Sequence, residues 1–450
     1  MSKLFGTDGV RGIANTELTP ELVFKLGRAG AYALTKIEHH SPRIIVGTDT
    51  RVSKDMLSAA LIAGMCSVGA TVYNAGILPT PGIAYLVRAY KLDAGVVISA
   101  SHNTMEYNGI KFFNIDGYKL PDKTEEEIEE LIQNDLSGIP TPTGEGVGTV
   151  ENCRTALEDY VSFLKSTVPG LDLNGLTVAV DCANGATYQA APMLFEQLGA
   201  NVCAMHHKPD GLNINKDCGS THMESLIEFM KTRKADIGLA LDGDGDRLLC
   251  VDEKGNMLDG DQILSICGLH LKRNGSLKNN TIVITIMSNL GLYALEKTGD
   301  IRLEITGVGD RYVLERMLEQ GYNLGGEQSG HIIFLDYNTT GDGLMTALQL
   351  LSIMRSNNES LSNLNSVMKV MPQVLYNVTV ANDYKENYNA HPIIKEAIEQ
   401  LTLRFKDTGR VLIRPSGTEP VIRVMLEGQD QTEIELEARK LVKLMETCLQ

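Results

Sequence analysis

The sequence lacks any apolar run of the ~18–20 residues that a membrane span requires. Its opening residues, Met1-Ser2-Lys3-Leu4-Phe5-Gly6, hold no apolar stretch long enough for a secretory signal, so the expected location is the cytoplasm. Positive charge is also short, with 41 basic residues against 57 acidic and a net charge of −16. That balance argues against nonspecific nucleic-acid binding, which draws its affinity from a basic footprint. An anionic small substrate remains open, provided the arginines and lysines gather where it sits. No two of the eight cysteines have CxxC spacing, which leaves zinc and dithiol redox motifs unsupported. Cys66, Cys153, Cys182, Cys203, Cys218, Cys250, Cys267 and Cys448 read as buried or idle thiols. A P-loop is absent as well, since no glycine-rich turn ends in Gly-Lys-Ser/Thr.

What is present is an ordinary globular composition, 43% hydrophobic and 22% charged, over 450 residues. A pattern recurs of a short apolar run, a polar turn and a helical stretch. Arg43–Asp49 precedes an apolar-periodic stretch from Met56 to Ala63. Leu176–Asp181 leads into Gln189–Leu198, and Thr281–Ile286 into Leu290–Glu296. Runs rich in Val and Ile without strict alternation predict strands buried on both faces, as in layered α/β sheets. Turn-rich Ser137–Gly144 and the Met371-Pro372 step mark boundaries. The expected fold is three repeated α/β domains with mixed sheets, plus a smaller C-terminal α+β domain, around a central cleft. The expected limits are 1–155, 156–254, 255–369 and 370–450, with strands at Val374–Val380 and Val421–Leu426 and a closing helix at Glu433–Met445 in the last.

Four loops carry chemistry. Ser99-Ala100-Ser101-His102-Asn103 follows the apolar Gly95–Ile98 run, at a strand end where open α/β sheets place ligands. Ser101 is a candidate nucleophile; a plain polar turn is the rival reading. Adjacency alone makes no Ser–His dyad, because neighbouring side chains on extended backbone point apart. In Asp242-Gly243-Asp244-Gly245-Asp246-Arg247 three carboxylates at i, i+2 and i+4 can converge on one hard cation. A calcium EF-hand is the rival, with Glu253 at its twelfth position, but Arg247 stands where that loop needs Gly and the flanks read as strands. Gly325-Gly326-Glu327-Gln328-Ser329-Gly330-His331 offers groups suited to sugar hydroxyls, or forms a solvated turn. Arg414-Pro415-Ser416-Gly417-Thr418-Glu419-Pro420 has the makings of a phosphate cradle. Near the N-terminus, Phe5–Gly12 sets three glycines around Arg11.

In their order and spacing these loops resemble the α-D-phosphohexomutase superfamily along essentially the whole chain. Asp181–Tyr188, Asp210–Asn215, Met287–Gly291 and Val308–Val313 add to the resemblance, and Gln328 and Asp310-Arg311 point to its glucosamine-phosphate branch. The resemblance implies an isomerase carrying phosphate on Ser101, which exchanges it with a phosphorylated hexosamine through a bisphosphate intermediate. It implies a magnesium ion held by Ser101, Asp242, Asp244 and Asp246, and a catalytic set of Ser101, Arg11, Lys111, His102 and Arg247, with Lys111 as a candidate proton acceptor. It assigns Glu327, Ser329, His331, Asp310 and Arg311 to the sugar, and Arg414, Ser416, Gly417, Thr418 and Arg423 to phosphate. It allows a homodimer, and no nucleic-acid or membrane partner is expected. Three rivals stay open: a glucose or mannose phosphate mutase, a phosphatase, and a non-catalytic sugar-phosphate binder. One departure stands out: Thr104 occupies a position that is usually Pro, and proline would fix the turn, so a looser serine loop is expected.

Overall fold

The computed structural model describes residues 4–6, 8–35, 41–380, 385, 387–415 and 421–449. The chain divides into two compact units. One comprises Met1–Met287 with Ile301–Val367, the other Ser288–Asp300 with Met368–Gln450.

The first unit holds three sheets. The first contains β1 (Val10–Ile13), β2 (Arg43–Thr48), β3 (Thr71–Ile77), β4 (Ala94–Ile98), β5 (Tyr107–Phe113) and β6 (Val150–Asn152), in the order β1-β5-β4-β2-β3-β6. The second contains β7 (Thr177–Asp181), β8 (Asn201–Met205), β9 (Ile237–Leu241), β10 (Leu248–Asp252) and β11 (Met257–Leu258), in the order β11-β10-β9-β7-β8. The third contains β12 (Thr281–Thr285), β13 (Arg302–Thr306), β14 (Leu324–Gly326) and β15 (Ile332–Phe334), in the order β13-β12-β14-β15.

These sheets share one plan. In each, a first strand (β2, β7 or β12) lies between two parallel neighbours, and the later neighbour (β4, β9 or β14) then pairs antiparallel with the strand that follows it. The sheets are therefore mixed, as expected. The antiparallel turn is where each repeat places its polar loop: Ser99–Glu106 after β4, Asp242–Arg247 after β9, Glu327–His331 after β14. Strands β4, β9 and β12 are buried at every position, which explains their lack of alternation.

Helices pack tightly against the first sheet. Helices Pro20–Thr35 and Lys54–Cys66 cross so closely that a Cβ at Gly27 would lie 2.3 Å from the Leu61 carbonyl oxygen, and one at Gly64 2.2 Å from that of Phe24. A polar knot joins all three repeats at the turn Tyr337–Asp342. Asn338 accepts from Arg88 (2.7 Å) and donates to the Pro81 carbonyl (3.2 Å), while Thr339 donates to the Gly117 carbonyl (2.6 Å). Asp342 caps helix Gly343–Asn357 and stands 3.0 Å from the Tyr160 hydroxyl on helix Ala156–Ser166.

Burial pushes the Asp342 carboxyl up to about 6, against hydrogen bonds from Met345, Tyr160 and Asn338 that pull it down. A carboxyl raised above its unfolded value near 3.8 binds an extra proton in the folded state between pH ~4 and ~6. On its own it therefore subtracts stability as pH rises through that window. Tyr160→Phe removes a donor from a buried carboxylate and is expected to cost about 1–3 kcal/mol at pH 7. The loss should shrink at pH 5, where the carboxyl is protonated; urea unfolding midpoints at the two values check it.

In the second unit β16 (Gln373–Thr379), β17 (Gly409–Pro415) and β18 (Val421–Gly428) form an antiparallel sheet in the order β16-β18-β17, covered by helices Pro392–Phe405 and Gln431–Cys448. This is the expected smaller α+β domain. Helix Leu290–Thr298 follows β12 in sequence but folds with this unit. Its first N–H donates to Glu427 (2.7 Å), and Asn289 exchanges hydrogen bonds with Met371 (2.9 Å each).

Candidate active site

Within the first unit the polar turns of the three sheets meet. The Ser101 hydroxyl donates to Asp242 Oδ2 at 2.5 Å and both residues are buried. Ser101 has φ 51°, a left-handed conformation that costs an L-residue about 1 kcal/mol or more and is found at functional sites. This departs from the extended backbone assumed for the sequence. The turn instead leaves Ser101 Oγ 3.4 Å from His102 Nδ1. Burial, then Arg247 and Arg11, push the His102 imidazole down to about 4, so the ring is neutral at pH 7.

The loop Asp242–Arg247 lies directly against the serine turn. A Cβ at Gly243 would meet the Ser101 carbonyl oxygen at 2.4 Å, and Gly245 has φ 75°, so glycine is needed at both positions. One oxygen each from Asp242, Asp244 and Asp246 lies within 4.8 Å of the others. Asp242 Oδ1 accepts from the Gly245 N–H (3.0 Å), and Asp244 Oδ2 accepts from Lys111 Nζ and Thr80 Oγ1 (2.7 Å each). Among the described residues, Asp244 Oδ1 and Asp246 Oδ1 are buried and have no hydrogen-bond partner. Burial, then the charges of Asp246 and Asp244, hold the Asp242 carboxyl well above its ordinary range. Buried carboxylates that repel one another and keep bare oxygens fit a hard cation. The flanking strands β9 and β10 exclude an EF-hand, which requires helices there.

Cations face this cluster. Lys111 on β5 lies 2.7 Å from Asp244, 3.0 Å from Asp8 and 3.6 Å from Asp246. Burial lowers the affinity of its amine for a proton, but Asp244, Asp8 and Asp246 outweigh that and raise it. These carboxylates favour the ammonium form of Lys111. Arg247 Nε is 3.9 Å from Asp246, and Arg11 pairs with Asp8 and reaches Asn103 Oδ1 at 3.5 Å.

The third sheet supplies Glu327 and His331. His331 Nδ1 lies 3.6 Å from Asp246 Oδ2, and Nε2 accepts the Gly341 N–H at 3.0 Å. Burial favours the neutral ring, while Asp246 and Asp310 raise its proton affinity overall. The backbone N–H against Nε2 weighs the other way, because a doubly protonated ring has no acceptor there. Glu327 accepts from the Gly309 N–H at 3.1 Å, and burial raises its carboxyl. Ser329 is exposed. The Gln328 amide is held by Asp259, which caps helix Gly260–Arg273.

Asp310 and Arg311 part company. Asp310 turns to Lys119 and lies 3.6 Å from His331, whereas the Arg311 guanidinium is taken by Asp122 (2.6 Å) and Glu315 (3.1 Å). Its stem lines a cavity of about 250 Å³ beside Asp310 and His331. In the second unit Arg414 and Arg423 are register partners on β17 and β18, so both lie on one face of the hairpin. Ser416, Gly417 and Thr418 lie outside the described residues.

Several participants went unnoticed in the sequence. Lys119 bridges Asp8 and Asp310, and Thr80 holds Asp244, yet neither sits in a distinctive motif. Asp49 and Arg51, directly after β2, had a signal available: two charges at the end of an apolar strand that is buried from Ile44 onward. A second group of potential ligands, Asp181, His206 and Cys218, lies in the second sheet. There Asp181 accepts from the Ala183 and Gly219 N–H groups and pairs with His206 Nδ1, all at 2.9 Å, so it reads as a hydrogen-bonded knot. All eight cysteines are free, and no helix among the described residues is long and apolar enough to cross a membrane.

Comparison with known proteins agrees with this arrangement. Family models for phosphoglucomutase/phosphomannomutase match in chain order: alpha/beta/alpha domain I over residues 2–138, domain II over 158–255, domain III over 259–371 and the C-terminal domain over 375–444. Phosphoglucosamine mutase of Acetivibrio thermocellus is 59% identical over 449 residues, covering 100% of both chains. A phosphoglucomutase/phosphomannomutase family protein of Burkholderia thailandensis superposes with TM-score 0.82 at 23% identity, over 100% of this chain and 99% of that one. Aspergillus fumigatus N-acetylphosphoglucosamine mutase, solved with GlcNAc-6P and magnesium, gives TM-score 0.69 at 18% identity over 99% and 96%. With all four domain models matched in order and a relative 59% identical from end to end, the chain belongs to the phosphoglucomutase/phosphomannomutase family, in its phosphoglucosamine mutase branch.

Proposed function

We propose that this phosphohexomutase interconverts glucosamine 6-phosphate and glucosamine 1-phosphate through a phosphate carried on Ser101. The observation that carries the reading is Ser101 Oγ, 2.5 Å from Asp242, at the edge of a carboxylate cluster that retains bare buried oxygens. Asp242, Asp244 and Asp246 would hold a divalent cation together with the serine phosphate. Magnesium is the ion we propose for this all-oxygen set, and it supplies Lewis-acid stabilisation of phosphoryl charge. Phosphoryl transfer needs mainly positioning and charge compensation. Lys111, Arg247 and Arg11 give fixed positive charge beside Ser101, and neutral His102 packs against its hydroxyl. The P–Oγ bond breaks as the sugar hydroxyl oxygen bonds to phosphorus and its proton passes to the Ser101 oxygen set free, giving the bisphosphate. In the return step Ser101 Oγ bonds to the other phosphorus, the P–O bond to the sugar breaks, and the serine proton goes to the sugar oxygen. Glu327, Ser329, His331 and Asp310 are assigned to the sugar. Arg414, Ser416, Gly417, Thr418 and Arg423 are assigned to phosphate.

The choice of sugar is tested by kinetics on three substrates. The branch membership motivates it, and so does Glu327, an acidic group able to pair with an ammonium at the second carbon of the sugar. Charge-assisted hydrogen bonds contribute roughly 1.5–3 kcal/mol, so glucosamine 6-phosphate should exceed glucose 6-phosphate and mannose 6-phosphate about 10- to 100-fold in kcat/KM. Equal efficiency on glucose 6-phosphate would move the chain to a glucose/mannose specificity and leave the phosphoserine chemistry in place.

A further inference from the structure

Behind the serine turn lies a buried clamp that the transfer chemistry above does not use. Asp49 and Arg51 are both fully buried at the end of β2. Asp49 fixes the guanidinium, accepting from Arg51 Nε at 2.8 Å and from the Arg51 N–H at 2.9 Å, and it also accepts from Ser99 Oγ at 2.6 Å. Ser99 Oγ in turn accepts the Ser101 N–H at 3.0 Å. The rest of the Arg51 fork is directed at the serine turn itself. Nη2 donates to the carbonyls of Ser101 (3.1 Å) and Asn103 (2.8 Å), and Nη1 to that of Thr104.

A second donor approaches the same carbonyls from the second repeat. Asn215 Nδ2 donates to Ser101 O at 2.8 Å and to Asn103 O at 2.9 Å. Asn215 is itself buried and anchored through its N–H to the Ala183 carbonyl at 2.9 Å. Two residues from separate domains thus hold the same two peptide oxygens. Between them sits a serine in left-handed backbone, a conformation that persists only where its surroundings over-determine it.

We propose that Arg51 and Asn215 are positioning residues for the nucleophile, locking the Ser101–Thr104 turn from behind so that Oγ stays aimed at the metal loop. The inference rests on Ser101 as the phosphate carrier. It also accounts for Thr104: the expected looseness is answered by the bond from Arg51 to its carbonyl, which does what a proline ring would do by restricting the backbone. A loosened turn would misdirect the phosphoryl group while leaving the sugar contacts alone. Transfer to the sugar hydroxyl would slow. More of the phosphoenzyme would then react with water, breaking P–Oγ, forming a P–O bond to the water oxygen and releasing inorganic phosphate with a free serine hydroxyl.

The test uses full-length enzyme and follows kcat, KM, inorganic phosphate released per product formed, and Tm. Asn215→Gly is the primary variant, because glycine accepts the φ of 57° at this position while removing the amide. A misplacement on the scale of an ångström predicts a kcat lowered about 10- to 100-fold. KM should stay within about threefold, and phosphate release per product should rise about fivefold or more. Arg51→Lys keeps the charge opposite Asp49 and loses the fork, so its loss of kcat should be larger; if that variant does not fold, Asn215→Gly still decides. Adding Thr104→Pro to Asn215→Gly should recover kcat about threefold or more, a rescue by stiffening that a purely structural role would not give. A folded Asn215→Gly with kcat within about twofold of wild type overturns the inference, as does lost activity with unchanged phosphate partition and no rescue. Wild-type enzyme without phosphate on Ser101 overturns the functional reading and this inference with it; phosphorylated wild type with an indifferent Asn215→Gly overturns the inference alone.

Discussion

Replacing Ser101 with alanine should stop turnover and leave the fold standing. Removal of a covalent nucleophile from an enzyme that works through it costs about 10³-fold or more in kcat. The structural cost is small by comparison. Among the described residues the hydroxyl hydrogen-bonds to Asp242 and His102, while the backbone groups of residue 101 keep their partners on Ser99, Arg51 and Asn215. Alanine and serine meet the positive φ with a similar penalty, so Tm should change little. Two measurements check the result. Coupled kinetics should find the variant below about one thousandth of the wild-type rate, and mass spectrometry should find phosphate on the Ser101 peptide of the wild type and none on the variant. Retention of half the wild-type rate would remove Ser101 from the mechanism.

The central strands were legible because burial on both faces leaves its mark in composition. Gly95–Ile98, Ile237–Leu241 and Thr281–Ile286 are apolar without alternation, and each is a central strand ending at or near a polar turn. The aspartate loop was legible for a local reason too: three carboxylates within five residues need either a cation or solvent. Helix ends were less clear. The periodic stretch Met56–Ala63 marks only the middle of helix Lys54–Cys66.

What stayed hidden depends on contacts between distant residues. Lys111 meets Asp244 across 133 positions and Thr80 meets it across 164, so no window of sequence contains either pair. Asp310 and Arg311 looked like one element but open a helix, where successive side chains point about 100° apart. One turns to His331 and Lys119, the other to Asp122 and Glu315. Helix Leu290–Thr298 follows its strand just as the corresponding helices of the first two repeats do. Its placement in the C-terminal unit rests on Glu427 and Met371, more than 80 residues away.

Asp244→Asn should cripple the enzyme and raise its demand for magnesium, because this side chain joins the cation site to Lys111. Its Oδ2 is taken by Lys111 Nζ and Thr80 Oγ1, and its Oδ1 is buried and bare. Asparagine matches the shape but must place an NH₂ at one of these two positions. Facing the loop, the NH₂ removes one of the three carboxylate oxygens offered to the cation; facing Lys111, it sets donor against donor. Either orientation also removes one negative charge opposing the Lys111 ammonium. Loss of outer partners around metal ligands typically costs 10- to 100-fold, and loss of a charged ligand should exceed that, so kcat is expected to fall about 100-fold or more. The magnesium concentration for half-maximal activity should rise as well. Thr80→Val separates the two contributions: it deletes one hydrogen bond to Oδ2 and leaves the charge, so its loss should be nearer 10-fold. A magnesium titration of wild type, Thr80→Val and Asp244→Asn after treatment with EDTA reads all three. If chelation leaves the wild-type rate unchanged, the three aspartates do not hold a catalytic cation, and the bare oxygens of Asp244 and Asp246 require another partner.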